Sequence, residues 1–279
     1  PNSDPEGFVK CGKVGVGDID ITDNGDTLYF TNLNTRKLQS LRLDNDGNPN
    51  TPYTHVASDV STFDLPNVGC GGGDLRPWGL KVYKGYVYVG AVCDAQASQD
   101  RSDLRAFVFR FTPGTNTWTT IFDFPLTYPK GSPFGGTYLS GWYPWTDNWN
   151  TFMAANGGSQ YVAYPQPILC DIEFDIDGSM VLGFGDRTGY QTGSQDYNTT
   201  GGGLYWGFVG GDMLRVYQKN GAFVLENNAK AGPVLGNGAN NNEGPGFGEF
   251  YNDIWNGGGH SEIMMGGLAL LPGSGQIMA

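Results

Sequence analysis

Apolar and polar residues alternate in four short stretches: Gly17-Asp-Ile-Asp-Ile21, Trp78-Gly-Leu-Lys-Val82, Cys170-Asp-Ile-Glu-Phe174 and Gly266-Gly-Leu-Ala-Leu270. A period of two predicts a strand with one face buried. Each stretch runs into turn residues, at Asp23-Asn-Gly25, Tyr83-Lys-Gly85, Asp175-Ile-Asp-Gly178 and Leu271-Pro-Gly-Ser-Gly275. A second run then follows, at Thr27–Thr31, Tyr86–Gly90, Ser179–Gly183 and Gln276–Met278. Asn-Gly and Asp-Gly between alternating runs are strong hairpin signals.

Third strands are predicted at Lys37–Leu43, Ala106–Phe111 and Met213–Tyr217. Fourth strands follow at Tyr53–Ala57, Thr117–Phe122 and Ala222–Glu226. A repeated unit of four antiparallel strands is the plan of a β-propeller blade. A β-sandwich is the rival fold, but its strands would not repeat this unit. The predicted fold is therefore all-β, with blades at about 14–60, 75–125 and 167–228 and the first hairpin of a fourth from about 263 to 279. A blade needs roughly 40–50 residues. The excess is assigned to insertions at about 126–166, 186–210 and 228–262, where the alternation is lost. A closed propeller has about four to eight blades, so further blades are expected outside 1–279. The apolar run from Gly266 to Ala279 points the same way.

Composition narrows the setting. Charged residues are 16% of the chain against roughly 25% in typical soluble domains. Glycine numbers 45 and aromatic residues make up 14%, as expected of tight turns between strands with large side chains. A net charge of −12 excludes nucleic acid as an expected partner, because phosphates must be met by clustered Lys and Arg. No apolar run is long enough for a membrane-spanning helix. Four cysteines, Cys11, Cys70, Cys93 and Cys170, lack the spacing of zinc or redox sites. Cys70 and Cys93 flank one predicted strand pair and could form a disulfide; buried thiols are the alternative. Asn198-Thr-Thr200 is a glycosylation sequon by pattern alone.

The segments Gly15–Leu33, Arg76-Pro-Trp-Gly-Leu80 and His260–Gly275 are similar to a propeller-like region of very large bacterial secreted or cell-surface, adhesin-like proteins. That region often adjoins Ig-like repeats. The resemblance covers most of the chain and implies an extracellular location, with other domains or blades of a larger surface protein as partners. It gives no functional residues to carry over.

Candidate chemistry is sparse. Asp18 and Asp171 hold equivalent places at the start of two leading strands. They either hold Ca²⁺ in a channel or, as preferred, bond backbone amides and fix the turn. Asp175-Ile-Asp-Gly178 reads as a hairpin turn, since the rest of a calcium loop is lacking. Asp186 and Arg187 are expected to pair on the rim. His55 lies in a strand-like stretch and reads as structural. His260 and Glu262 precede a leading strand at the expected channel mouth. They could serve as acid and base or metal ligands, though closing a blade by hydrogen bonds is preferred. Trp142, Tyr143, Trp145 and Trp149 in one insertion could stack on sugar rings or pack that long loop onto the sheets. No catalytic signature emerges. The leading expectation is a non-enzymatic surface module that binds glycans or other surface ligands through its insertions. The alternatives are a propeller hydrolase, lyase or sugar dehydrogenase with channel Ca²⁺, and a purely structural assembly unit.

Overall fold

The computed structural model describes residues 3–43, 55–135, 139–257 and 260–279. Three four-stranded antiparallel sheets follow one another along the chain, each a simple meander. The first runs through Val16–Ile21, Thr27–Asn32, Lys37–Arg42 and Val60–Asp64. The second comprises Leu75–Tyr83, Tyr86–Cys93, Arg105–Thr112 and Thr117–Pro125. The third comprises Pro167–Phe174, Met180–Asp186, Asp212–Lys219 and Ala222–Leu225. A hairpin of Ala269–Leu271 and Gln276–Met278 comes last.

Turn chemistry sets the hairpins. Lys84 and Gly85 both have positive φ (+50° and +77°) between the paired residues Tyr83 and Tyr86. This is the two-residue turn whose twist matches that of the flanking strands. The Asp175–Gly178 segment is a hairpin turn as expected, closed by the Gly178 amide on the Asp175 carbonyl at 2.9 Å.

Burial differs between sheets. In the second, Tyr86–Cys93 is buried at every position after the first, because both faces are covered. Tyr29 and Leu38 of the first sheet pack against Leu80, Val82 and Val87 on one side. Tyr88, Val92 and Val108 meet Ile172, Phe174 and Leu182 of the third sheet on the other. Among the described residues the first sheet has one such neighbour, the second.

The leading strand of each sheet carries a register shift at the same point: Val16/Ile19, Pro77/Leu80 and Leu169/Asp171. Around it the sheets are joined by carboxylates. Asp18 accepts the Ile19 amide at 2.7 Å and, across to the second sheet, the Leu80 amide at 2.8 Å. Two residues on and facing the same side, Asp20 accepts the Val82 amide at 2.7 Å. Asp171 repeats the pattern, accepting from Ile172 at 2.7 Å and from Leu268, ahead of the last hairpin, at 2.8 Å. Asp175 adds the Gly273 amide at 2.6 Å. The buried Thr31 hydroxyl accepts the Asp18 amide and donates to the Trp78 carbonyl at 2.6 Å. The second-to-third junction differs. Gly79 stands where the others have Asp, and a Cβ there would come within 2.8 Å of the Cys170 carbonyl carbon. Lys81 bonds Glu173 across that junction at 2.8 Å.

Several expectations are corrected. The fourth strand of the first sheet is Val60–Asp64, not Tyr53–Ala57; Tyr53 and Thr54 lie outside the described residues. His55 is in irregular chain before a short 3₁₀ turn, with its Nδ1 4.0 Å from Asp59. The insertions and the N-terminal segment also contain helices that periodicity did not signal. Pro5–Lys10 is capped by Asp4 on the Gly7 amide, and Trp149–Ala155 by Asn148 on the Asn150 amide. Their Phe8, Trp149 and Phe152 pack together with Val162 and Tyr164. Cys70 and Cys93 form a disulfide, while Cys11 and Cys170 are free. The Asn198 carboxamide is buried; it accepts from the Thr200 and Gly202 amides and donates to the Gly202 carbonyl, so it is not presented as a glycosylation acceptor.

Asp18→Ala strips the Leu80 and Ile19 amides of their acceptor, and a buried donor left unpaired costs about 1–3 kcal/mol. The urea midpoint should fall accordingly at constant m value. The exposed-turn control Asp23→Ala should stay within about 0.5 kcal/mol of the parent.

Candidate metal centre

The structure disperses most of the residues that sequence singled out. Each oxygen of Asp18 and Asp171 accepts one of the amides named above, the arrangement preferred from the sequence. Burial pushes the Asp18 carboxyl up to about 6 despite those donors, and raises Asp171 as well. The aromatic insertion forms no sugar platform. Trp142 and Trp145 are 0% exposed and Trp149 is buried with them. The Trp145 indole donates to the Pro167 carbonyl at 2.9 Å, and the Arg76 and Arg187 guanidiniums lie 5.4 and 4.7 Å from its ring centre. The Trp142 indole donates to the Tyr128 hydroxyl at 3.1 Å, which donates to Asp212 at 2.5 Å. Tyr143 is half-buried, with the Arg101 guanidinium 4.5 Å from its ring centre. These rings pack the loop onto the sheets, which supplies the apolar burial such a long segment needs to stay ordered.

Asp186 and Arg187 are likewise neither on a rim nor paired with each other. Both are buried. Arg187 bonds Asp147 at 2.8 Å and the Thr146 carbonyl at 2.9 Å. One Asp186 oxygen accepts the Gln166 and Thr188 amides, each at 2.9 Å, and the other has no partner among the described residues. Burial pushes the Asp186 carboxyl up to about 7.

His260 and Glu262 have different neighbours. The His260 ring packs 5.0 Å from Phe208 and 6.0 Å from Trp255. Glu262, on the short strand His260–Glu262 that pairs with Ile254–Gly257, turns into a different environment. There it meets Glu249 and Asp253, with a ligand oxygen from each of the three acids within 4.8 Å of the others.

Three stretches of chain build this cluster. The Glu262 amide donates to the Ser132 carbonyl at 3.1 Å, and the Gly244 amide to the Pro129 carbonyl at 2.5 Å. These bonds tie the 228–262 insertion to the start of the 126–166 insertion. Glu249 exchanges backbone bonds with Gly238 at 3.1 and 3.2 Å, and the Asn241 carboxamide donates to its Oε1 at 2.6 Å. Gly131, at φ +88°, lies so close that a Cβ would come within 2.6 Å of the Glu262 carboxyl carbon. Glu249 and Glu262 are fully buried. Glu249 Oε2 and both carboxylate oxygens of Asp253 and Glu262 have no hydrogen-bond partner among the described residues. Burial drives the Glu262 carboxyl up to about 12, reinforced by Asp253 and opposed by the nearby Lys130 ammonium. Burial likewise drives Glu249 up to about 9, with the charges of Asp253, Asp212 and Glu243 adding to the effect. Such a cluster either keeps protons or takes a cation that supplies the missing positive charge.

Glu262 was in view from the sequence; Glu249 and Asp253 were not. A usable signal exists. From Ala231 to Ala279 there is no Lys or Arg, while Glu243, Glu249, Asp253 and Glu262 all fall within that stretch.

No protein-family model matches the chain. Three proteins of Dictyostelium discoideum are similar along most of it. Colossin-B is 26% identical over 303 residues, covering 100% of this chain and 7% of colossin-B. Colossin-A is 29% identical over 275 residues, covering 92% of this chain and 2% of colossin-A. Colossin-C is 25% identical over 253 residues, covering 87% and 22% respectively. The chain thus spans less than a quarter of the length of each. Among solved structures, a PL25 polysaccharide lyase, an ulvan lyase bound to saccharide, overlaps with a TM-score of 0.35 at 12% identity, over 77% of this chain and 43% of the lyase. A second PL25 ulvan lyase structure gives a TM-score of 0.34 at 12% identity, over 76% of this chain and 42% of the lyase. A likeness this loose says nothing about activity.

Asp186 yields a pH prediction. Its folded-state pKa is raised from 3.8 to about 7, so the native state holds a proton that the unfolded chain releases. Its contribution to stability is complete below about pH 4 and is lost as pH rises through about 7, at up to roughly 1.4 kcal/mol per pH unit. Asp186→Asn keeps an oxygen for the Gln166 and Thr188 amides. It should match the parent near pH 4, exceed it at pH 8, and flatten the stability–pH curve measured by urea denaturation.

Proposed function

We propose that this chain is a run of β-propeller blades within a much larger extracellular protein, where it acts as a non-enzymatic module for assembly and surface adhesion. One comparison of equivalent positions carries the reading. In the second and third sheets, Leu80, Val82, Ile172 and Phe174 are 2%, 9%, 0% and 5% exposed, because the preceding sheet covers them. Their counterparts in the first sheet, Ile19 and Ile21, are 53% and 43% exposed. Alternating isoleucines on a leading strand are written for burial, and a preceding blade would supply it. At the other end, Leu271 and Met278 are 61% and 74% exposed on a hairpin that has the sequence pattern of the first half of a blade.

The similar colossins, of which the chain covers 2–22%, support a unit carried inside long polypeptides. The Cys70–Cys93 disulfide supports an oxidising compartment. The burial of Glu249 and Glu262 supports the non-enzymatic reading, since fully buried acids do not reach a substrate from solvent. Partners on this reading are neighbouring blades and domains, together with a glycan or other surface ligand met by exposed insertion residues such as Tyr197 and Trp255.

Covalent footprinting tests the reading. In the natural polypeptide that contains this segment, Ile19, Ile21 and Met278 should label several-fold less than in the isolated 279-residue chain. Equal labelling in both would contradict a propeller completed by further blades.

A further inference from the structure

We infer that Glu249, Asp253 and Glu262 form a binding site for one calcium ion, which fastens the 228–262 insertion to the body of the protein. The inference stands apart from the propeller reading and survives if that reading fails.

Geometry comes first. Three carboxylates at different points of one insertion place an oxygen each within 4.8 Å of the others, the spacing of ligands around a common centre. Two of the three side chains are fully buried, and five of their six oxygens find no donor among the described residues. Burying an unpaired carboxylate costs several kcal/mol, and the other buried acids each keep at least one donor, as Asp186 does on one of its two oxygens. Glu226, equally buried, accepts the Arg215 and Phe250 amides at 2.6 and 2.8 Å. Asp212 takes the Met213 amide and the Tyr128 hydroxyl. Glu262, with neither oxygen met, therefore stands out among the buried acids of the described residues.

The Lys130 ammonium nearby does not meet the need. Lys130 is fully buried, but it donates to the carbonyls of Gly211 and Gly131 at 3.2 and 3.4 Å and lies 5.1 Å from the Trp142 ring centre. A single positive charge would in any case leave three carboxylates and the neighbouring Glu243 under-neutralised. Donor chemistry selects the ion. All three candidate ligands are carboxylates, which suit hard cations, whereas zinc and copper favour nitrogen and sulfur. Calcium takes six to eight oxygens in flexible geometry and magnesium demands a near-ideal octahedron with several waters. A buried cluster of carboxylates from an irregular loop, with no octahedral arrangement imposed, favours calcium. Glu243, whose Oε2 is also buried without a partner, and water stand ready to complete the shell.

The consequence is mechanical. The ion would bridge Glu249 and Asp253 to Glu262, whose strand is already bonded to Ser132. Two insertions would then be fixed to each other next to the third sheet and just ahead of the last hairpin.

The test uses the intact 279-residue chain, stripped with chelator and titrated with CaCl₂ by isothermal calorimetry, with thermal unfolding in parallel. One calcium per chain is expected, and at a hundredfold excess over Kd a rise in Tm of roughly 4–6 °C. Glu249→Gln and Glu262→Gln are near-isosteric and remove charge, so both should fold in chelator at least as well as the parent and lose calcium binding by 100-fold or more. Asp18→Asn, whose carboxylate is occupied by amides, should bind calcium like the parent. Absence of stoichiometric binding to the parent would overturn the proposal in favour of proton-sharing carboxyls. So would calcium binding unchanged in both glutamine variants, or selective binding of zinc.

Discussion

The leading strand of a meander sheet is an edge, and an edge exposes a row of amides that its own sheet cannot satisfy. This protein meets that constraint with side chains from the sheet before. Asp18 and Asp20 accept the amides of Leu80 and Val82, and Asp171 accepts that of Leu268. Each bond is charge-assisted and partly shielded from water, which makes it stronger than a neutral one. It also sets spacing: an Asp reaches an amide one strand away only if the two leading strands lie side by side. The common register shift in each leading strand lies at or beside the position that holds the Asp, or the Gly, at each junction. The apolar packing between sheets, from Tyr29 against Leu80 to Tyr88 against Phe174, follows from that alignment.

Much of this was readable in the sequence. The hairpins were, because alternation and turn residues are local and Lys84-Gly85 or Asp175–Gly178 declare themselves without help from the rest of the chain. Even the role of Asp18 and Asp171 as acceptors of backbone amides was foreseeable, though not that the amides belong to the next sheet. What failed was nonlocal. Tyr53–Ala57 is as good a strand by composition as Val60–Asp64, and only pairing with Lys37–Arg42 distinguishes the latter. Trp142 and Trp145 look alike whether they face solvent or a sheet. Their burial depends on partners as distant as Pro167 and Arg187. Glu249 and Glu262 stand far enough apart in sequence that nothing short of the folded insertion brings them together.

The same acidic character thus serves two purposes. With a net charge of −12 the chain has carboxylates to spare. Where the fold supplies amides, as at the leading strands, carboxylates become rivets between sheets. Where it supplies few, as at Glu249, Asp253 and Glu262, the carboxyls either keep their protons or, as inferred above, take a cation. Gly131 and Gly79 show how closely each solution is fitted. In both places a side chain would displace the groups that make the junction.

The central claim is that carboxylate-to-amide bonds couple successive sheets, and amide hydrogen exchange reads it residue by residue. The amides of Leu80 and Val82 should exchange slowly in the parent protein. In Asp18→Ala and Asp20→Ala they should lose protection by ten-fold or more, while amides in the interior of the second sheet, such as Val89 and Val108, change little. If Leu80 and Val82 exchange freely in the parent, or keep full protection in both variants, the carboxylates do not couple the sheets and the account is wrong.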